Sequence, residues 1–312
     1  MPTKAPSIAP ITRSDVAAEC DRLPLPGAGR SRVRWDRFTE VARRDLALAK
    51  LVEPHHDAVA ILSELNGPSV QDGQLWAVWA AEPPFAVLRA TEVEDGWRLT
   101  GRKAFCSGAA LVTHALVTAE TLAGPGLFAV DLDDVGVVVD AEAPTWVAPG
   151  MSRAQTVTLA LDDVSAQTIG RVGDYTERVG FWFGAIGIAA CWFGGALGVA
   201  DLLESGSDRL GPHGLAHLGA VRASTETFAL ALDAAAARVD AGLDVSSAQR
   251  LALVLRAQAA DLADEVIGRV GRASGPGPLA FDEAHARRVA DLAVFVRQHH
   301  AERDLETLGA LP

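Results

Sequence analysis

The spacing of apolar positions along this chain changes twice, and the changes divide it into three stretches. In residues 15–65 the spacing is helical: Val41, Leu46, Leu48, Leu51 and Val52 recur at helix-like intervals, and residues 57–65 form a second short amphipathic stretch. Two or three helices are predicted there, closed by a turn at Asn66-Gly67-Pro68. In residues 74–172 the period becomes that of strands. LWAVWA, FAVLRATEV, WRLTGRKAF, THALVTAE, GLFAVDL, VGVVVD and TVTLAL follow one another, separated by clusters of Pro, Gly and Asp. Many short strands with regular turns predict a sandwich or barrel, and Asp95-Gly96 between two of the runs is a hairpin signal. From residue 174 the helical period returns. It is broken at Gly211-Pro212 and at residues 240–244 and 274–278, which predicts four helices of bundle length. Ser246 with Gln249 three residues on reads as a capping box opening the third of them. The expected fold class is α+β with segregated layers. A short N-terminal helical domain occupies residues 11–70, a middle antiparallel β-barrel or sandwich residues 73–172, and a C-terminal four-helix bundle residues 174–312.

One run breaks the amphipathic pattern. Residues 179–200 contain no charge over twenty-two positions, long enough to span a bilayer as a helix. Six glycines interrupt the run (Gly180, Gly184, Gly187, Gly194, Gly195 and Gly198), and Asp201 and Glu204 follow where a membrane anchor more often carries aromatic or basic residues. The reading is a buried helix and no membrane span. Its bare backbone suits close approach by another helix or by a planar cofactor.

Composition narrows the partners. With 40 acidic against 28 basic side chains the formal net charge is −12, which repels polyphosphate and disfavours nucleic acid. Cys20, Cys106 and Cys191 are odd in number and widely spaced, which fits a reducing cytoplasm. The opening MPTKAPSIAPITRSD is too polar for a secretory signal, and residues before Ile11 read as a loose tail. No metal site is expected. His213 and His217 lie one helical turn apart without an acidic third ligand, and His299 and His300 are adjacent, so on a helix they diverge by roughly 100°. No P-loop, G-x-G-x-x-G or G-x-S-x-G motif occurs.

Three segments carry a resemblance. Gly96-Trp97-Arg98-Leu99-Thr100-Gly101-Arg102-Lys103-Ala104-Phe105-Cys106-Ser107-Gly108 follows the pattern G-x-x-L-x-G-x-K, then an aromatic, an apolar residue and a hydroxyl. Trp79-Ala80-Ala81-Glu82-Pro83 resembles a strand ending in hydroxyl-Glu-Pro, with Ala81 in place of the hydroxyl. Glu177-Arg178 precedes the glycine-rich run. Together with the element order, these segments resemble the acyl-CoA dehydrogenase and oxidase superfamily, over nearly the whole chain. The resemblance implies an FAD-dependent oxidoreductase whose flavin ring lies where the middle domain meets the bundle. Phe105 and Ser107 would contact the ring, the backbone at Ala81 would replace a lost side-chain contact, and Arg178 would help to place cofactor or substrate. Val270-Gly271-Arg272 stands where the family holds the pyrophosphate of a neighbouring subunit's FAD, so Gly271 is a further expected cofactor contact.

The implied reaction is α,β-dehydrogenation of an acyl thioester. Glu177 would take the proton, and an electron-accepting flavoprotein or oxygen would reoxidise the flavin. Asp174-x-x-Glu177 also reads as a capping box. The stretch of residues 294–300 offers no Glu-Gly pair of the kind most family members use as base. Two other readings stand beside this one: a flavin monooxygenase of the same fold using FAD or reduced FMN, with His299 or His300 as the acid, and a non-catalytic scaffold. The resemblance also implies a homodimer or homotetramer.

Overall fold

The computed structural model describes residues 9–311, so the tail expected before Ile11 lies mostly outside the described residues. Helices α1 (Arg13–Ala17), α2 (Ser31–Arg44) and α3 (Leu46–Glu64) open the chain. Extended Asp45 separates α2 from α3 and caps the latter, its carboxylate accepting the Leu48 N–H at 3.1 Å. The second amphipathic stretch is not a helix of its own. It is the C-terminal half of α3, which runs unbroken through Pro54 although Pro54 has no N–H for the Lys50 carbonyl. Burial of Leu51, Val52, Ala58 and Ile61 on both sides of Pro54 outweighs that lost bond.

Seven strands follow, one for each run: β1 (Trp76–Trp79), β2 (Leu88–Val93), β3 (Gly96–Cys106), β4 (His114–Thr121), β5 (Gly124–Asp131), β6 (Val137–Val139) and β7 (Val157–Thr168). Pairing leads from β4 through β2, β3, β7 and β5 back to β4. The sheet is mixed, where an antiparallel one is expected from the sequence. β1 and β2 share one edge of β4 and both run parallel to it, β1 beside His114 to Val117 and β2 at the single pair Arg89 with Glu120. This thin seam is braced from inside. Lys103, 2% exposed, reaches past β2 to donate to the Thr118 carbonyl at 2.7 Å and hydroxyl at 2.8 Å. At Gly101, φ is +132° and a Cβ would collide with the Val87 carbonyl, so glycine is required there.

The rest is helical: α4 (Asp174–Glu177), α5 (Val179–Ser205), α6 (Pro212–Asp240), α7 (Val245–Ser274), α8 (Gly277–Phe281), α9 (Glu283–Phe295) and α10 (Glu302–Ala310). Two expected caps differ. Asp244 caps α7 by accepting the Ser247 N–H at 2.8 Å, ahead of the Ser246 and Gln249 pair. Asp174 and Glu177 form a one-turn helix of their own, and α5 begins afterwards at Val179.

Helix α5 alone among the described residues is long and apolar enough to cross a membrane, and 78% of its most apolar window is buried within the protein. Its glycines are met by other helices. A Cβ on Gly194 would collide with the Thr39 carbonyl, and one on Gly198 would stand 2.7 Å from that of Arg43, so α2 packs backbone to backbone on α5. On the N-terminal half, Gly180 and Gly184 leave room for the carboxylates of Glu64 and Asp57 from α3. Phe183, Trp192 and Phe193 are core residues, whereas Trp182 is half-buried.

The glycines are therefore not equivalent. Gly194→Ala is expected to destabilise by about 1–3 kcal/mol through overpacking. Gly219→Ala, on exposed α6 with nothing within 4 Å of the added methyl, is expected to stabilise by about 0.5–1 kcal/mol. Urea unfolding of both variants checks this, and equal effects would show that α5 and α2 are not in close contact.

Candidate functional site

A cavity of about 610 Å³ opens between the sheet and the C-terminal helices, a size common for ligand pockets. Its sheet-side wall comes from the ends of β1 and β3. A bulge between Lys103 and Cys106 ends the regular pairing of β3 with β7, and Phe105 is left-handed there, with φ of 59°. This turns the Phe105 ring outward, edge-on to Phe85 at 6.2 Å. Two residues on, the Ser107 hydroxyl lies 2.9 Å from that of Thr156, and the Trp79 indole donates to the Ser107 carbonyl at 3.2 Å.

The floor is the connection into β7, held from two sides. The Met151 N–H donates to buried Asp291 of α9 at 2.6 Å, and Arg153 pairs with Asp45 at the start of α3. Met151 is also left-handed, with φ of 59°. Strained backbone of this kind gathers at functional sites and persists only where its surroundings hold it. Lys50 of α3 and Phe295, Arg297 and His300 at the end of the chain complete the lining.

A second cavity of about 370 Å³ adjoins the first, between α3, α5, α7 and α10. Tyr175, Phe181 and Trp182 give it an aromatic side, and Asp57, Arg178 and Arg256 a charged one. His300 lines both cavities. It sits in the turn before α10, next to left-handed Ala301 (φ of 46°), and its Nδ1 lies 3.4 Å from Asp304 Oδ1. His299 turns inward instead, edge-on to Trp192 at 6.2 Å, and burial lowers its pKa. The two histidines thus lie in a turn, where a helix end is expected from the sequence.

Beneath both cavities α3 carries an unusual set of charges. Burial pushes Glu53 up to about 8, with Asp57 adding to the effect and Lys50 opposing it. Burial raises Asp57 as well and lowers Lys50. In the same turn of the helix burial holds His55 down to about 4 and His56 to about 3, with Arg34 contributing to both.

The expected site residues divide among these places. Phe105, Ser107 and Ala81 line the first cavity together. Arg178 lines the second, its guanidinium donating to Glu64 at 2.7 Å and lying 5.4 Å from the centre of the Tyr175 ring. Glu177 is exposed and lines neither cavity, because α4 is a separate turn that points it outward. The desolvated setting expected for a base at Glu177 is therefore absent. Gly271 lies in the last turns of α7, lines neither cavity, and would have nothing within 4 Å of an added Cβ. Among the described residues no three His, Cys, Asp or Glu side chains converge as a metal site.

Lys50, Thr156 and Asp57 escaped the sequence reading. The one available signal was the single charge inside the apolar segment LALAKLV.

Neither a protein-family model nor a curated protein matches the sequence. Solved structures do match the fold. KijD3, in complex with FMN and a dTDP-amino-keto-sugar, superposes with a TM-score of 0.78 at 18% identity, over 96% of this chain and 84% of that one. TdsC from Paenibacillus sp. A11-2 with FMN and indole gives 0.78 at 19%, over 89% and 82%. Butyryl-CoA dehydrogenase from Megasphaera elsdenii gives 0.76 at 18%, over 88% and 79%. The chain has the acyl-CoA dehydrogenase fold, which hosts both dehydrogenases and a dibenzothiophene monooxygenase.

The charge set on α3 gives a pH test. Glu53 ordinarily ionises near 4.5 and in the fold near 8, so the stability it contributes is present below pH 4.5 and is lost as pH rises through 8. Glu53→Gln should match the parent protein near pH 4.5 and exceed it on the order of 2 kcal/mol at pH 9. Urea unfolding at both pH values reads this, and an unchanged difference between them would place Glu53 in contact with solvent.

Proposed function

We propose that the chain is a flavin-dependent oxidoreductase in which the larger cavity takes the isoalloxazine ring and the adjoining one a small substrate. The observation that carries the reading is His300, which lines both cavities and so stands where a proton must pass between ring and substrate. The donor set fits such a ring. The Ser107 and Thr156 hydroxyls meet a planar heterocycle with a polar edge, and Trp79, Phe105 and Phe295 offer apolar walls. Of the two flavins we take FMN in place of the FAD expected from the sequence, on the solved structures of similar fold. KijD3 and TdsC carry FMN in their structures.

The chemistry that fits is oxygen transfer rather than α,β-dehydrogenation of an acyl thioester. Glu177, the carboxylate expected to act as base, is exposed and lines neither cavity, and the buried carboxylate Asp57 lines the adjoining cavity and not the one proposed for the ring. When bound and reduced, a flavin supplies electrons to dioxygen. The residues of this chain do the rest. Aromatic side chains exclude water, Ser107 and Thr156 orient the ring, and His300 holds a proton at the junction. Asp304 engages His300 Nδ1 and leaves Nε2 for the cavities. On this reading the electron donor is reduced flavin, the co-substrate is oxygen, and the homodimer or homotetramer implied by the resemblance is kept.

A series of acyl-CoA thioesters, added without air to the FMN-loaded protein, is expected to leave the visible flavin absorbance unchanged. In air, hydrogen peroxide release from the protein loaded with reduced FMN is expected to change in His300→Ala while FMN affinity stays within about threefold, since Ser107, Thr156, Phe105 and Phe295 still line the ring's cavity. Bleaching by any acyl-CoA would restore dehydrogenation and overturn oxygen transfer.

A further inference from the structure

We propose that a third cavity, of about 530 Å³, binds a small aliphatic carboxylate, with Arg34 and His55 as its hydrogen-bond donors. This cavity lies between the end of α1, α3 and the loop that leads into β1. None of its lining residues lines either of the other two, so its occupant is independent of the flavin reading.

Arg34 stands on α2 and is only 4% exposed. A guanidinium carries a fork of N–H donors, and among the described residues a single one is used, Nη1 donating to the Pro24 carbonyl at 3.4 Å. Its plane lies over Phe38, 5.1 Å from the ring centre. Asp57 and Glu53 attract its charge from α3, but neither accepts a hydrogen bond from it. Attraction at that range leaves the remaining N–H groups without acceptors. His55, 6% exposed, supplies the second donor. Its Nδ1 accepts the Trp76 N–H at 3.2 Å, so the ring, which burial keeps neutral, carries its proton on Nε2. Among the described residues that Nε2 meets no acceptor, and unlike Nε2 of His56 it is not closed off from open space.

Buried donors without acceptors are costly, and the two coplanar oxygens of a carboxylate match a guanidinium fork. One deep cation suits a singly charged anion. Asp21 and Asp72 outnumber Arg22 at the exposed rim, which opposes a doubly charged group such as phosphate. Leu23, Leu25, Val59, Leu62 and Val70 supply aliphatic wall, so the occupant continues from its carboxylate as a short hydrocarbon.

Isothermal titration calorimetry of the full chain with hexanoate, hexanamide and inorganic phosphate, each with and without added FMN, tests the site. Hexanoate is expected to bind at one site whether or not FMN is present, at least about tenfold more tightly than hexanamide, the size of one contact to a charged group, and phosphate is expected not to bind. Arg34→Lys, which keeps the charge and loses the fork, should weaken hexanoate at least about tenfold. Ala17→Trp, which fills the exposed mouth of the cavity, should abolish its binding. If Arg34→Lys does not fold, as read by its melting transition, Ala17→Trp decides alone. No hexanoate binding by the parent, equal affinity for hexanamide, phosphate bound in its stead, displacement by FMN, or unchanged affinity in Ala17→Trp each overturns the inference and leaves the flavin reading standing.

Discussion

The approach of α5 to α2 and α3 is the constraint on which the rest of the molecule depends. Gly194 and Gly198 let α2 touch the backbone of α5, and Gly180 and Gly184 leave space for carboxylates of α3. With α5 so placed, α3 is clamped between the sheet and the bundle and carries Lys50 to one cavity and Asp57 to the other. A single methyl in this interface moves a helix that lines both. The apolar run that first looks like a membrane span is thus the central post of the fold, buried on all but a minor part of its surface.

The larger cavity is rigid on its sheet side for a related reason. Lys103 ties β3 to β4 from inside, across a seam that only one residue pair closes. Phe105 and Met151 are then held in left-handed conformations that their side chains would not choose alone. Because the Met151 loop is bonded to Asp291 of α9, the sheet and the bundle share one wall instead of meeting as independent bodies. Polar contacts fix the frame, and the lining itself stays mostly apolar.

Much of this was legible in the order of residues. All seven apolar runs are strands, the helix breaks fall at the Gly and Pro clusters, and Phe105, Ser107 and Ala81 meet in one cavity. Periodicity tells which side of a segment is buried but not which neighbour covers it, so the parallel pairing of β1 and β2 with β4 was not readable. The course of α3 through Pro54 was hidden because tertiary burial overrides the local penalty. Glu177 misled for a similar reason: its type and its place before the glycine-rich helix match a catalytic base, yet the extended Arg178 that follows starts a new helix and leaves Glu177 in solvent. Lys50 carried a signal, one charge in an apolar turn, with nothing to indicate which space it would enter.

The central claim is that a flavin ring lies between the end of β3 and Phe295. A crystal structure of the protein grown or soaked with FMN tests it most directly. The account predicts ring density bounded by Phe105, Ser107, Trp79 and Phe295. Density for the ring at any other place, or an empty cavity at saturating FMN, would contradict it.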